Sequence, residues 1–117
     1  MTTREASLKQ EQMIERAMDH LGARRTPNSG AGRKAKGDLQ DQLSVIEAKT
    51  MMKTQQQFTI KKEDIDTLEA DRRRELKQFG FLMFDFGDTK LNETYVTMKF
   101  SDFLELYETY LEYHELL

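Results

Sequence analysis

An acid and a lysine stand two positions apart on a segment that is otherwise rich in apolar residues, residues 43–50. Side chains of a strand alternate between its faces, so Val45, Glu47 and Lys49 share one face, while Ile46 and Ala48 share the other. Burying charged groups costs free energy unless they are paired or bind a ligand. The segment therefore predicts a buried strand whose charges have a function.

Length and composition indicate one domain that spans residues 1–117. Hydrophobic residues make up 38% and charged residues 33% of the chain, which is typical of a soluble globular protein. There is no cysteine, so disulfides and zinc–thiolate sites are excluded and a cytoplasmic location is expected. No apolar run approaches the length of a membrane span or a signal-peptide core, so no membrane partner is expected.

Charge is unevenly distributed, although the net charge is only −3. Residues 21–40 contain five basic side chains and one acid, and no Lys or Arg follows Lys99. This distribution favours one side that faces a polyanion, with ordinary solvated surface charge as the alternative. The basic residues are Arg24, Arg25, Arg33, Lys34 and Lys36.

The periodicity of apolar residues predicts helix, about three strands, helix, two strands, helix. This order indicates an α/β or α+β fold around one mixed sheet. The predicted helices cover residues 3–21, 62–78 and a C-terminal segment that Ser101 caps. The predicted strands cover residues 23–26, 37–42, 43–50, 81–86 and 93–100, with a turn near Asp41 and a short extended piece at 58–60.

The C-terminal helix has one apolar and aromatic half and one acidic half. The apolar half is wider than packing on a single sheet requires, which favours a surface that binds a partner. A plain core helix is the alternative. The apolar residues include Phe103, Leu104, Leu106, Tyr107, Tyr110, Leu111, Tyr113 and Leu117.

A metal site is the best explanation of the charged strand. Asp38 precedes Glu47 by nine positions, and the two carboxylates are hard ligands suited to Mg²⁺, for which Mn²⁺ often substitutes. The Ala48 carbonyl is a further candidate ligand, and Lys49 is placed to orient a water and stabilise developing negative charge. Glu11, at the border of the apolar side of the first helix, can reach the same site. The alternative is a structural Glu47–Lys49 pair at a sheet edge.

A loop at residues 27–32 separates the first predicted strand from Asp38. Its spacing is not that of a phosphate-binding P-loop. Ser29, with Arg25 and Arg33 nearby, is suited to donate hydrogen bonds to DNA phosphates, and an ordinary mobile turn is the alternative. The residues predicted to bind DNA are Arg24, Arg25, Ser29, Arg33, Lys34, Lys36 and Lys53.

In these motifs the chain resembles the PD-(D/E)xK nuclease superfamily, and within it the archaeal and phage Holliday-junction resolvases. The shared pattern is a glutamate on the first helix, a glycine that ends it, an arginine, a Ser-Gly loop, an aspartate and a Glu-x-Lys strand. Two positions depart from it: Gly37 stands where the family has proline, and Gln12 where many relatives have arginine. The matching residues are Glu11, Gly22, Arg25, Ser29, Gly30, Asp38, Glu47 and Lys49.

The resemblance implies a restriction-endonuclease-like α/β fold, with a central mixed sheet of about five strands flanked by helices. It also implies catalysis by Glu11, Asp38, Glu47 and Lys49, and a homodimer that nicks four-way DNA junctions symmetrically. A cellular or phage-encoded protein is equally consistent with it. Two alternatives remain open, namely a related nuclease that cuts linear duplex or host DNA, and a DNA-binding module without catalysis.

Overall fold

The computed structural model describes residues 2–27 and 37–117, which form one five-stranded mixed sheet with three α-helices. The α/β class and the order of elements agree with the sequence-based prediction. The helices are α1 (Thr3–Met18), α2 (Lys62–Arg74) and α3 (Phe100–Tyr113). The strands are β1 (Arg24–Arg25), β2 (Leu39–Gln40), β3 (Ser44–Lys49), β4 (Phe79–Phe84) and β5 (Tyr95–Thr97). Two short 3₁₀ turns lie at Asp19–Leu21 and Leu91–Glu93.

The strands are arranged in sequence order, β1-β2-β3-β4-β5, and only β3 and β4 are parallel. Their parallel pairing requires a crossover, which α2 supplies. The turn between β2 and β3 is held by Asp41, whose Oδ1 accepts hydrogen bonds from the N–H groups of Leu43 and Ser44. β3 therefore lies at the centre of the sheet, paired along both edges.

The two faces of β3 pack against different helices, as the alternation of its side chains predicts. Ile46 is buried with Ile14 of α1, while Val45 is buried with Leu68 of α2. Burial of such aliphatic side chains contributes about 1.5–3 kcal/mol each and sets the register of the strand. The face of Val45 is also the face of Glu47 and Lys49, so these charges lie on the α2 side of the sheet.

Helix α2 ends four residues earlier than predicted, at Arg74 instead of residue 78. Leu76, which lies within the predicted helix, has a φ of 56° and is 92% exposed. The N–H groups of Gln78 and Phe79 instead donate to the Leu43 carbonyl, and this pairing starts β4 two residues before the predicted position.

The C-terminal third also differs from the prediction. β5 has three residues instead of the predicted eight, and α3 begins at Phe100, so Ser101 lies inside the helix and is not its cap. Residues 58–60 form no strand. The alternative of a plain core helix does not fit α3, because none of its residues is buried. Within the two described ranges, no helix is long and apolar enough to cross a membrane.

Candidate metal centre

Asp38 is held against β3 by two hydrogen bonds, one from its backbone and one to its side chain. Its N–H donates to the Ile46 carbonyl over 2.8 Å, and its Oδ2 accepts from the Ala48 N–H over 2.8 Å. The Asp38 carbonyl accepts from the Thr26 N–H at 2.9 Å. These bonds fix the carboxylate beside the part of β3 that carries Glu47.

A glycine immediately before Asp38 makes this close approach possible. Gly37 has a φ of 79°, and a Cβ there would contact Val45 Cγ1 and lie 3.0 Å from the Ile46 carbonyl oxygen. A side chain at this position would therefore push the Asp38 segment off β3. Proline fixes φ near −65°, so the proline of the nuclease pattern does not fit this backbone.

Glu47 shares a partly buried environment with Asp38. Burial raises the pKa of Glu47 most, the Asp38 carboxyl adds to the rise through its charge and a hydrogen bond, and Lys49 opposes it; the resulting pKa is about 8. The side chain of Glu47 is only 21% exposed. Two carboxyl groups at hydrogen-bonding range, in a site that water reaches poorly, favour a shared proton or a cation between them.

Glu11, which α1 carries, is a second acid near Asp38. Burial raises the pKa of Glu11 to about 7, Asp38 adds to the rise, and Arg25 opposes it. Asp38 is therefore the common neighbour of Glu11 and Glu47, although the three acids come from separate segments. The convergence depends on the packing of α1 on β3.

Lys49 lies between two acids. Its Nζ is 3.9 Å from Glu47 Oε1 and 3.8 Å from Asp64 Oδ1. Both distances exceed those of a hydrogen bond, so the ammonium group keeps donors for a further partner. The Glu47–Lys49 pair of the structural alternative does form, but on a central strand and not at a sheet edge. Asp64 was not singled out in the sequence, because only folding brings the first turn of α2 to β3.

A buried polar cluster, which the sequence analysis also missed, joins α1 to the ends of β3 and β4. Gln10 Nε2 donates to the Lys49 carbonyl over 2.5 Å and to Asp85 Oδ2 over 3.3 Å. Thr50 Oγ1 donates to Asp85 Oδ1 over 2.9 Å. Gln10 is fully buried and precedes Ile14 by one helical turn, so its position on the apolar side of α1 was the available signal. The cluster fixes α1, and with it Glu11, relative to Lys49.

The predicted DNA-binding residues are only partly near the acids. Arg25 influences Glu11 and forms an ion pair of 3.2 Å with Glu15, while Arg24 pairs with Asp19 at 2.9 Å. Lys53 is exposed beyond the end of β3. An open groove of about 480 Å³ runs along this side of the protein, lined by Gln12, Glu15, Arg16, Asp19, Arg24 and Arg25. Ser29, Arg33, Lys34 and Lys36 lie outside the described residues.

The donor set suits a hard cation, although no metal cage is preformed. Among residues 2–27 and 37–117, no three His, Asp or Glu side chains are grouped closely enough to hold an ion. Mg²⁺ keeps several of its waters and needs only one or two carboxylates, a requirement that Asp38 and Glu47 meet. Ala48 contributes its N–H to Asp38, and the metal-binding role of its carbonyl stays a prediction.

The chain was also compared with known proteins. No family model, no curated protein and no solved structure matches it. The comparisons thus transfer neither a family nor an activity.

Proposed function

We propose that this protein is a Mg²⁺-dependent endodeoxyribonuclease that nicks branched DNA, with the four-way junction as its substrate. One observation carries the proposal: Asp38 lies beside both Glu11 and Glu47, and Lys49 lies on the same face of β3 as Glu47. Hydrolysis of a phosphodiester requires neutralisation of negative charge and an oriented water. Acids that bind a cation and a nearby lysine provide both.

Each residue has a distinct role in the proposed reaction. Asp38 and Glu47 would hold the cation, and Glu11 would add a third acid from α1. A bound Mg²⁺ would lower the pKa of a water and offset charge on the scissile phosphate. Lys49, which neither neighbouring acid engages at hydrogen-bonding distance, donates to the attacked phosphate or orients the water. Asp64 keeps the ammonium group in place.

The proposed substrate is two-fold symmetric, whereas one chain supplies one site. Symmetric nicking therefore requires two copies related by a two-fold axis. The basic residues near the site, above all Arg25, are proposed to contact the DNA backbone, because guanidinium groups bind phosphates in a bidentate manner. The sequence departure at Gln12 removes one basic contact from the groove beside α1.

Lys49→Ala tests the chemistry. We expect it to abolish Mg²⁺-dependent cleavage of a synthetic four-way junction while leaving junction binding nearly unchanged, because the acids remain in place. Lys62→Ala is the matched control, since Lys62 is an exposed lysine paired with Asp66 on α2, and it should cut normally. Undiminished cleavage by Lys49→Ala would falsify the proposal.

Substrate class is tested with two DNA molecules of the same sequence, one a four-way junction and one a linear duplex. Faster nicking of the junction is expected. Equal or faster cutting of the duplex would assign the protein to the alternative class, a nuclease for linear DNA. A calorimetric titration that detects no binding of Mg²⁺ or Mn²⁺ to the wild-type protein would instead favour a non-catalytic DNA-binding module.

A further inference from the structure

Helix α3 exposes an apolar surface that nothing in the described chain covers. No residue of α3 is buried, and the exposed fractions of its large apolar side chains range from 40% for Leu104 to 82% for Tyr113. We call this surface the α3 apolar face; it comprises Phe100, Phe103, Leu104, Leu106, Tyr107, Tyr110 and Tyr113.

A glutamate on the acidic half of α3 bonds to Gln78, the residue before β4. Glu105 accepts hydrogen bonds from Gln78 Nε2 at 3.0 Å, and Glu105 lies across the helix from Tyr107. At 100° per residue, Asp102, Glu108 and Glu112 are on the same half as Glu105. A helix of 14 residues is only marginally stable in water unless an apolar face is packed. The α3 apolar face therefore needs a cover that residues 2–27 and 37–117 do not provide.

The size of the face matches half of a stable interface. Its seven side chains, at their observed exposed fractions, leave roughly 700–800 Å² accessible, if a fully exposed aromatic presents about 200 Å². A standard interface buries about 800 Å² per partner, whereas the largest apolar patch on a monomer is usually about 300–600 Å². Tyrosine and phenylalanine are also the residues that interfaces favour.

We propose that the α3 apolar face binds the same face of a second copy of this chain, with the two helices antiparallel about a two-fold axis. In this arrangement the apolar halves meet and the acidic halves point apart, so like charges do not oppose association. The acidic half and the absence of Lys and Arg after Lys99 disfavour DNA or an anionic membrane as the occupant. The inference deepens the proposed function by locating its dimer interface, although it is argued from α3 alone.

If the two helices overlap over their full length, the axis crosses the middle of α3. Helix α3 spans Phe100–Tyr113, so its midpoint lies between Leu106 and Tyr107, and of these Tyr107 is nearer the centre of the apolar face. In an antiparallel pair Tyr107 then contacts its counterpart in the second copy. Phe100 of each copy meets the Tyr113 end of the other. Thr109, on the opposite half, stays far from its counterpart.

Mass measurement by sedimentation equilibrium tests the proposal. We expect the wild-type protein to have twice its chain mass of 13.8 kDa and Tyr107→Glu to have the single mass, because a buried charge at the axis faces another. Thr109→Glu introduces the same charge on the outer half and should stay dimeric. A monomeric wild type at micromolar concentration, or a dimeric Tyr107→Glu, would overturn the proposal.

Cross-linking provides a second test that does not depend on the stability of a charged variant. The chain has no cysteine, so a single introduced thiol can form a disulfide only between copies. With diamide as the oxidant, Tyr107→Cys should give a covalent dimer in high yield, and Thr109→Cys should not. Equal cross-linking of the two variants would contradict the antiparallel arrangement.

The proposed dimer interface and the proposed nuclease activity can be refuted independently of each other. Lys49→Ala should sediment as a dimer even though it does not cut DNA. If the wild type is monomeric but cleaves junctions, the interface is wrong and the proposed activity stands. If it is dimeric but inactive on every DNA tested, the activity is wrong and the interface stands. Flotation of monomeric protein with neutral phosphatidylcholine vesicles would assign the α3 apolar face to a lipid surface and overturn the proposal.

Discussion

The Asp38 carboxylate accepts a hydrogen bond of 2.8 Å from the backbone N–H of Ala48. This bond connects an acid in the segment before β2 to the residue between Glu47 and Lys49. Since the Asp38 N–H also donates to the Ile46 carbonyl, both the backbone and the side chain of Asp38 are bonded to β3. The position of Asp38 relative to β3 is thus a property of the backbone, and a substitution can remove its charge without moving the segment.

Asp38→Asn should separate the charge from the hydrogen bond. Asparagine retains an acceptor for the Ala48 N–H, so we expect stability in EDTA equal to or above that of the wild type. Asp38→Ala leaves that N–H unpaired and should lose about 1–3 kcal/mol. Millimolar Mg²⁺ should raise the melting temperature of the wild type but of neither variant. A normal Mg²⁺ effect on Asp38→Asn in a thermal melt would remove Asp38 from the metal site.

Glu47 should make the metal-free protein less stable at higher pH. Its pKa is raised from 4.5 to about 8, so the folded state binds the proton more tightly than the unfolded chain. The resulting stabilisation is complete below the unfolded pKa and is lost as pH rises through the folded pKa. Glu47→Gln cannot titrate, and we expect it to be more stable than the wild type at pH 8 by at least about 1 kcal/mol.

Urea denaturation in EDTA across this pH range measures the effect. Glu93→Gln, at an exposed position, is the control and should follow the wild type. A wild-type protein with no loss of stability between pH 4.5 and 8, relative to Glu47→Gln, would show that Glu47 is not buried in a site beside Asp38.

Glu69 should have the opposite pH dependence. Burial raises the pKa of Glu69, but hydrogen bonds from Arg72 and Lys99 outweigh it and hold the pKa below 4.5. The stability that ionised Glu69 contributes to the folded state is present above pH 4.5 and is lost as pH falls through the lower folded pKa. Glu69→Gln should cost roughly 0.5–1 kcal/mol at pH 7 and almost nothing in strong acid. Urea titrations at several pH values would contradict this if the cost were constant.

Two glycines with the same backbone conformation should respond differently to alanine. Gly22 has a φ of 86° with open space around it, whereas at Gly37 a Cβ would contact Val45 and the Ile46 carbonyl. We expect Gly22→Ala to cost about 1 kcal/mol, the penalty of the left-handed conformation, and Gly37→Ala to cost about 2 kcal/mol or more. Equal losses in chemical denaturation would mean that Gly37 does not lie close to β3.

Local patterns predicted much of the fold. The alternation across residues 43–50 correctly separated Val45 from Ile46, because side-chain period depends only on the strand itself. Gly22 ended the first helical segment as expected, since its left-handed conformation is available to glycine at little cost. The order of elements followed from such signals.

Element boundaries were harder to predict. Leu76 has a helix-favouring side chain, yet it takes a positive φ so that Gln78 and Phe79 can pair with the Leu43 carbonyl. Gly80 lies outside the strand predicted for residues 81–86 but inside the observed β4, where a Cβ would come within 3.2 Å of Leu68 Cγ. In both cases a contact distant in sequence determined the conformation.

The sequence alone determined the candidate residues: the Glu47–Lys49 pair on one face of a strand, Asp38 before it and the amphipathic character of α3. The tertiary structure decided which of them meet. Packing of Ile14 and Leu39 on Ile46 brings Glu11 and Asp38 to β3, and the crossover helix brings Asp64 to Lys49. The physical reason is that periodicity and turn propensity act over a few neighbouring residues, whereas convergence of distant side chains depends on burial of an entire core.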